Sequence, residues 1–184
     1  MSPLPNQAFT TRFNGRALKL TNEVEIFPAF LPNTTPFPGK KYQALYDTGA
    51  THSTISPKVV QDLNLSSIRA TSVGVGGGFI TTTSHLVNIA LPSKVMCSMM
   101  QVAMVHVPSG EDVIIGMDIL GAGDFAVTNY GGNTVFSFCV PARKCIDFVA
   151  DINAFNKSHP PAKNTSCPCG SGKKYKSCCG RRRH

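Results

Sequence analysis

Along residues 17–140 the apolar side chains recur in short runs or at every second position, the period of a strand with one covered face. The pattern predicts strands over 17–20, 24–27 and 42–47. Residues 28–39 hold four prolines and predict a loop or an extended edge, because proline cannot donate to a ladder. One helix is well marked: Ser56 suits an N-cap, Pro57 suits the first helical position, and Val59, Val60 and Leu63 form an apolar stripe before Asn64. Strand patterns resume over 68–75, 79–91 and 95–107. The cluster Gly74-Val75-Gly76-Gly77-Gly78 separates the first two and predicts a long hairpin with a flexible tip. Val113-Ile114-Ile115-Gly116 reads as a short buried strand, and residues 117–120 as the start of a helical turn. Residues 125–128 and 134–140 flank Tyr130-Gly131-Gly132-Asn133 as a hairpin, and 146–155 predict a last helix. Residues 157–165, with Pro160-Pro161, read as a linker. The chain has no internal repeat, and Asp-Thr-Gly occurs once.

Charge divides the chain in two. Residues 1–156 carry ten Lys/Arg and ten Asp/Glu, whereas residues 157–184 carry eight Lys/Arg and no acid. The net charge of +8 therefore belongs to the tail, and composition gives no support to nucleic-acid binding by the main domain. The opening MSPLPNQAFTTRFNGRALKL places prolines and polar residues where a secretory signal has an apolar core. The longest stretch without charge, 70–93, holds glycines, many Ser/Thr, a His and an Asn, so it reads as strand and loop and predicts no membrane helix. A cytoplasmic location is expected, where seven cysteines are thiols or metal ligands before they are disulfides.

Asp47 ends an apolar run, Ala44-Leu45-Tyr46, and opens the small turn Thr48-Gly49-Ala50. This apolar-apolar-Asp-Thr-Gly-Ala run, the helix after it, the glycine-tipped hairpin and Ile114-Ile115-Gly116 resemble the retropepsin-like aspartic protease family over roughly residues 17–140. Met117-Asp118-Ile119-Leu120 resembles its bacterial branch, and Tyr46 stands where the family more often has an aliphatic residue. The resemblance implies an all-β acid-protease barrel, expected as a homodimer, with peptide or protein substrates. It implies Asp47, Thr48 and Gly49 as catalytic residues and Gly76, Gly77 and Gly78 as a substrate-binding flap. The chemistry agrees. Metal-free hydrolysis of a peptide needs one carboxylate to take a proton from water and another to protonate the carbonyl. Two carboxyls held close share a proton, as the aspartic-protease dyad illustrates. One chain supplies one such aspartate, and the resemblance implies a second Asp47 from a second subunit across a two-fold axis.

Other candidates carry blander readings. The glycine cluster lacks the Gly-Lys-Ser/Thr of a phosphate loop. His52 reads as a surface or hydrogen-bonding residue. Cys97, Cys139, His85 and His106 fall inside strand patterns and read as core residues. Asp118 and Asp124 read as caps and turn anchors.

Residues 167–180 read CPCGSGKKYKSCCG. Cys-X-Cys, eight residues and Cys-Cys match the SEC-C motif, a small zinc-binding tail named for the C-terminus of the preprotein translocase ATPase; Cys179 stands where many members have His. Cys167, Cys169, Cys178 and Cys179 are the expected ligands of a closed, structural Zn2+, with no metal needed for catalysis. Gly170 and Gly172 permit the turn, and Lys173, Lys174 and Lys176 offset thiolate charge. Together with Arg181, Arg182 and Arg183 they make a basic surface suited to an acidic protein, a ribosome or other nucleic acid.

The expected layout is a protease domain over 1–150, a helix end and linker over 151–164, and the SEC-C tail over 165–184. Two functions compete: an aspartic endopeptidase with a docking tail, and a non-catalytic dimeric adaptor of the same fold presenting SEC-C tails. The intact Asp47-Thr48-Gly49 favours the first.

Overall fold

The computed structural model describes residues 7–31, 34, 37–92, 95–107 and 110–181. The chain divides into two compact units, Met1–Arg143 and Lys144–His184.

The first unit is almost all β. Its strands are β1 (Gln7–Arg12), β2 (Thr21–Pro28), β3 (Lys40–Tyr46), β4 (Thr54–Ile55), β5 (Arg69–Val75), β6 (Gly78–Leu91), β7 (Val95–Met104), β8 (Val113–Ile115), β9 (Asp124–Thr128) and β10 (Val135–Val140). The larger sheet has the order β2-β3-β8-β4-β7-β6-β5, and β2 also pairs with β6. That second pairing closes β2, β3, β8, β4, β7 and β6 into a six-stranded barrel, with β5 hanging on β6 as a hairpin arm. The fourteen-residue β6 serves both partners: its first half pairs with β5 and its second half with β2. A closed ring leaves no barrel edge open to another chain.

Strand alternation fills the barrel. Val24 and Ile26 of β2, Tyr42 and Ala44 of β3, and Val87 and Ile89 of β6 are buried at every second position. The register shift between Val87 and Ile89 places Asn88 inside as well. Its Nδ2 donates to the Phe30 carbonyl at 2.9 Å and its Oδ1 accepts from the Met99 N–H at 2.8 Å, so the buried amide is satisfied.

A smaller sheet, β1-β10-β9, packs on the barrel through aromatic rings. Tyr46 lies 5.9 Å from Phe9 and 4.8 Å from Phe136 between ring centroids, and its hydroxyl donates to Asn22 Oδ1 at 3.0 Å. A ring at this position reaches both sheets, which accounts for an aromatic residue directly before Asp47.

Two expectations fail here. Residues 17–20 form no strand, and Leu18 is fully exposed. The first strand is instead β1, whose partner β10 lies more than a hundred residues away. His106 follows the end of β7 and is exposed, so it is not a core residue. The marked helix is α1 (Pro57–Asp62), capped by the Ser56 hydroxyl, which accepts from the Val59 N–H. Four further residues, α2 (Met117–Leu120), follow β8. Within the predicted 28–39 loop, residues 32–33 and 35–36 lie outside the described residues.

The second unit holds α3 (Phe148–Ser158), capped by Asp147, and then the cysteine-bearing tail. No described helix is long and apolar enough to cross a membrane.

Candidate active site and metal site

Asp47 follows the last residue of β3. Its N–H continues the ladder by donating to the Ile115 carbonyl at 3.0 Å, which locks the turn to β8. Its Oδ1 accepts from the Gly49 N–H at 2.8 Å, and its carbonyl accepts from the Ala50 N–H at 3.2 Å. The carboxylate is thereby oriented by its own turn. A Cβ on Gly49 would stand 3.1 Å from that same oxygen, tighter than an ordinary contact. Thr48 is exposed at the turn.

The segment after this turn is clamped from behind by the Ile114-Ile115-Gly116 strand. A Cβ on Gly116 would lie 2.7 Å from the His52 carbonyl carbon and 2.8 Å from the Ala50 oxygen, so only glycine fits. The Gly116 N–H donates to Ser53 Oγ at 3.0 Å. Ser53 in turn donates its hydroxyl to Asp118 Oδ1 at 2.7 Å and its N–H to Asp118 Oδ2 at 2.9 Å. The N–H groups of Met117 and Asp118 donate to the carbonyls of Ala50 and Thr51. Asp118 is the turn anchor its sequence context predicts. Ser53, fully buried, is the residue that sequence reasoning missed; nothing local to it signals a partner 65 positions away.

A cleft of about 1190 Å³ opens beside Asp47. The turn forms one wall, β5 and the start of β6 another, and β7 with Ile114 the floor. Asp47 is the single carboxylate among its lining residues, and His52 and His106 both face it. At the hairpin tip, Val75 pairs with Gly78, leaving Gly76 and Gly77 as a two-residue turn with φ of +49° and +93°. Both central residues at positive φ define a turn whose twist matches the strands and that favours glycine at each position. Gly76 lines the cleft, whereas Gly77 and Gly78 do not. Of the predicted site residues in this unit, Asp47, Gly49 and Gly76 thus share one cleft.

The tail brings all four predicted cysteines together. The Sγ atoms of Cys167, Cys169, Cys178 and Cys179 lie within 4.8 Å of one another, with Cys169–Cys178 at 3.5 Å and Cys178–Cys179 at 4.0 Å. Thiolates about 2.3 Å from a tetrahedral ion stand roughly 3.8 Å apart, so the cluster fits a four-sulfur metal site. Local geometry builds it. Cys167 N–H donates to the Lys173 carbonyl at 2.8 Å, and Gly170 and Gly172 turn the chain at positive φ. A short 3-10 turn, Tyr175–Ser177, delivers Cys178 and Cys179, and a Cβ on Gly180 would strike the Tyr175 ring at 2.6 Å. Hydrogen bonds from Ser171 bring the Cys169 thiol down to about 6, while the neighbouring thiols push Cys179 up to about 12. Of the basic residues expected to flank the cluster, Arg182 and Arg183 lie outside the described residues.

Comparison with known proteins divides the chain in the same way. Residues 35–119 match the model of the aspartyl protease family, and residues 164–181 match the SEC-C motif. Among curated proteins, the chain is 66% identical over 29 residues to the protein translocase subunit SecA of Campylobacter fetus subsp. fetus, a match covering 16% of this chain and 3% of that protein. It is 76% identical over 21 residues to a UPF0225 protein of Serratia proteamaculans, covering 11% of this chain and 14% of that one. The chain thus spans a small fraction of these relatives. Among solved structures, the EIAV protease complexed with the inhibitor HBY-793 is 26% identical, with 56% of this chain and 86% of that one covered at a TM-score of 0.40. A retropepsin-like aspartic protease from Rickettsia conorii is 12% identical, with 76% and 98% covered at a TM-score of 0.41.

Proposed function

We propose that this chain, a mostly β protein of retropepsin-like fold whose residues 35–119 belong to the aspartyl protease family and whose residues 164–181 form a SEC-C motif, is an endopeptidase active as a homodimer. The observation that carries the reading is Asp47, oriented by Gly49 at the wall of a cleft whose described lining contains no other carboxylate. One acid cannot both accept and donate the proton that amide hydrolysis moves. An Asp47 from a second copy completes the pair.

In the ground state the two carboxyls hold one proton between them. The ionised one takes a proton from water as the water oxygen bonds to the substrate carbonyl carbon. The protonated one gives its proton to the carbonyl oxygen. In the tetrahedral adduct a proton then passes to the amide nitrogen, the C–N bond breaks, and acid and amine leave. Gly49 keeps the carboxylate in place through its N–H, and Thr48 at the exposed turn secures the approach of the two copies. The hairpin carrying Gly76, Gly77 and Gly78 closes over the peptide and excludes water.

Residues 165–184 serve in this reading as a docking module, joined through 151–164 to catalysis in 1–150. Its four cysteines hold zinc as a structural ion, since four protein ligands leave no position for substrate. Its lysines attract an acidic protein or a ribosome. Unpaired thiolates of this kind suit the cytoplasm.

The test is a mixed peptide library incubated with wild type and with Asp47→Asn. The substitution should lower cleavage by about 10³-fold or more while preserving fold and dimer. Wild-type specific activity should fall on dilution through the dimer dissociation constant, and excess Asp47→Asn should poison wild type once subunits exchange. Full activity in Asp47→Asn, or in a strict monomer, refutes the dyad. A library left intact by wild type favours the non-catalytic adaptor.

A further inference from the structure

One row of the residues that line the cleft crosses the sheet. Arg69 pairs with Ser84, Ser84 with Ala103, Ala103 with Thr54, and Thr54 with Ile114. All five line the cleft. Ile114 pairs in turn with Leu45, two residues before Asp47. With strands about 4.8 Å apart, Arg69 stands on the order of 19 Å from Ile114 along this row.

The chemistry changes along the row. Ile114 is apolar. Thr54 is 7% exposed, and its Oγ1 has no hydrogen-bond partner. A buried hydroxyl left so is a standing cost at this point of the row. At the far end Arg69 is exposed, and Gln101, on the same face of β7 as Ala103, meets its guanidinium. With the amide turned so that its oxygen faces the arginine, Gln101 accepts from Nη2 at 3.0 Å and from Nε at 3.3 Å. Arg69 takes no part in the ion pairs Lys19–Glu111, Lys41–Glu23 and Lys58–Asp62. A neutral amide fixes the position of the cation and leaves its charge uncompensated, unlike a carboxylate. The remaining ionisable lining groups besides Asp47 are His52 and His106, so no second acid in the lining offsets that charge.

We propose that Arg69 is a specificity-determining residue that takes an acidic side chain of the substrate, roughly four to six residues from the scissile bond at about 3.3 Å per extended residue. The substrate class is thus an acidic peptide, and a lysine at the same position is rejected by like charge. This rests on the protease reading of the same cleft.

The test separates binding from cleavage. Full-length Asp47→Asn protein, which retains peptide, is offered a mixed peptide library, and the bound peptides are sequenced. Matched peptides carrying Glu, Gln or Lys at the enriched position are then titrated by fluorescence anisotropy. Glu should bind about five- to tenfold more tightly than Gln, with Lys weaker still, and the preference should shrink at high salt. Arg69→Gln in the same background should abolish the preference, and Arg69→Glu should reverse it toward Lys. Lys41→Gln, an equal loss of charge away from the cleft, should change nothing. An acidic preference that survives Arg69→Gln, no charge preference, or no peptide bound at all overturns the proposal. If the acidic preference is found but wild type cleaves none of the bound peptides, the binding inference stands and the protease reading falls.

Discussion

The β unit and the tail contain the same apolar residue types and use them differently. In the barrel, Ile26, Ile55, Ile89 and Ile115 are fully buried. In α3, Phe148, Ile152 and Phe155 recur at helical spacing, yet each is more than half exposed. Among the described residues of the tail unit a single side chain is buried, and it is the metal-type ligand Cys167. Apolar residues make a core only where several elements close around them. Ten strands do that; one helix and a short cysteine turn do not. The β unit is therefore ordered by area removed from water, whereas the described residues of the tail gather four thiols that could hold a metal ion.

The largest test of that contrast removes the ligands. Cys178→Ser/Cys179→Ser should abolish about one bound metal per chain by elemental analysis, forfeiting on the order of 10 kcal/mol of site energy. Tail amide signals should collapse toward random coil while the melting of the β unit stays put. Wild-type protein purified metal-free without chelators, with an ordered tail, breaks the comparison.

A sharper version uses one residue type in both places. Ile89→Ala should destabilise the β unit by about 3 kcal/mol, from lost burial plus a cavity, in urea unfolding. Ile152→Ala should move the same curve by less than about 0.5 kcal/mol. Equal effects would mean that α3 is covered in solution.

An effect smaller than that of Ile89→Ala also lies inside the β unit and concerns polar bonds. Ser53→Ala removes the hydroxyl that joins Asp118 to the Gly116 N–H. Stability should fall by about 1–2 kcal/mol, since a buried donor loses its partner. Peptide cleavage should fall further than stability explains, because the clamp holds the segment after Asp47. A cleavage rate that tracks only the folded fraction would reduce Ser53 to scaffolding.

What the sequence by itself determined is the chemistry carried by neighbours. Asp47-Thr48-Gly49 contains both the carboxylate and the N–H that orients it, two residues apart. The Ser56-Pro57 cap, the glycine tip between β5 and β6, and the four cysteines within thirteen residues are local in the same sense, because the interactions that shape them span a few bonds. What only the tertiary structure decided is whatever joins distant strands. Barrel closure comes from β2 meeting β6, and the first strand is β1, not the more apolar residues 17–20, because β10 offers it a ladder. The need for glycine at 116 arises from the backbone at Ala50 and His52, and the partner of Ser53 sits on α2. The row from Arg69 to Ile114 draws its five residues from five strands. A strand's period states which of its faces is covered, whereas its neighbours and register are set by long-range pairing that no local pattern encodes.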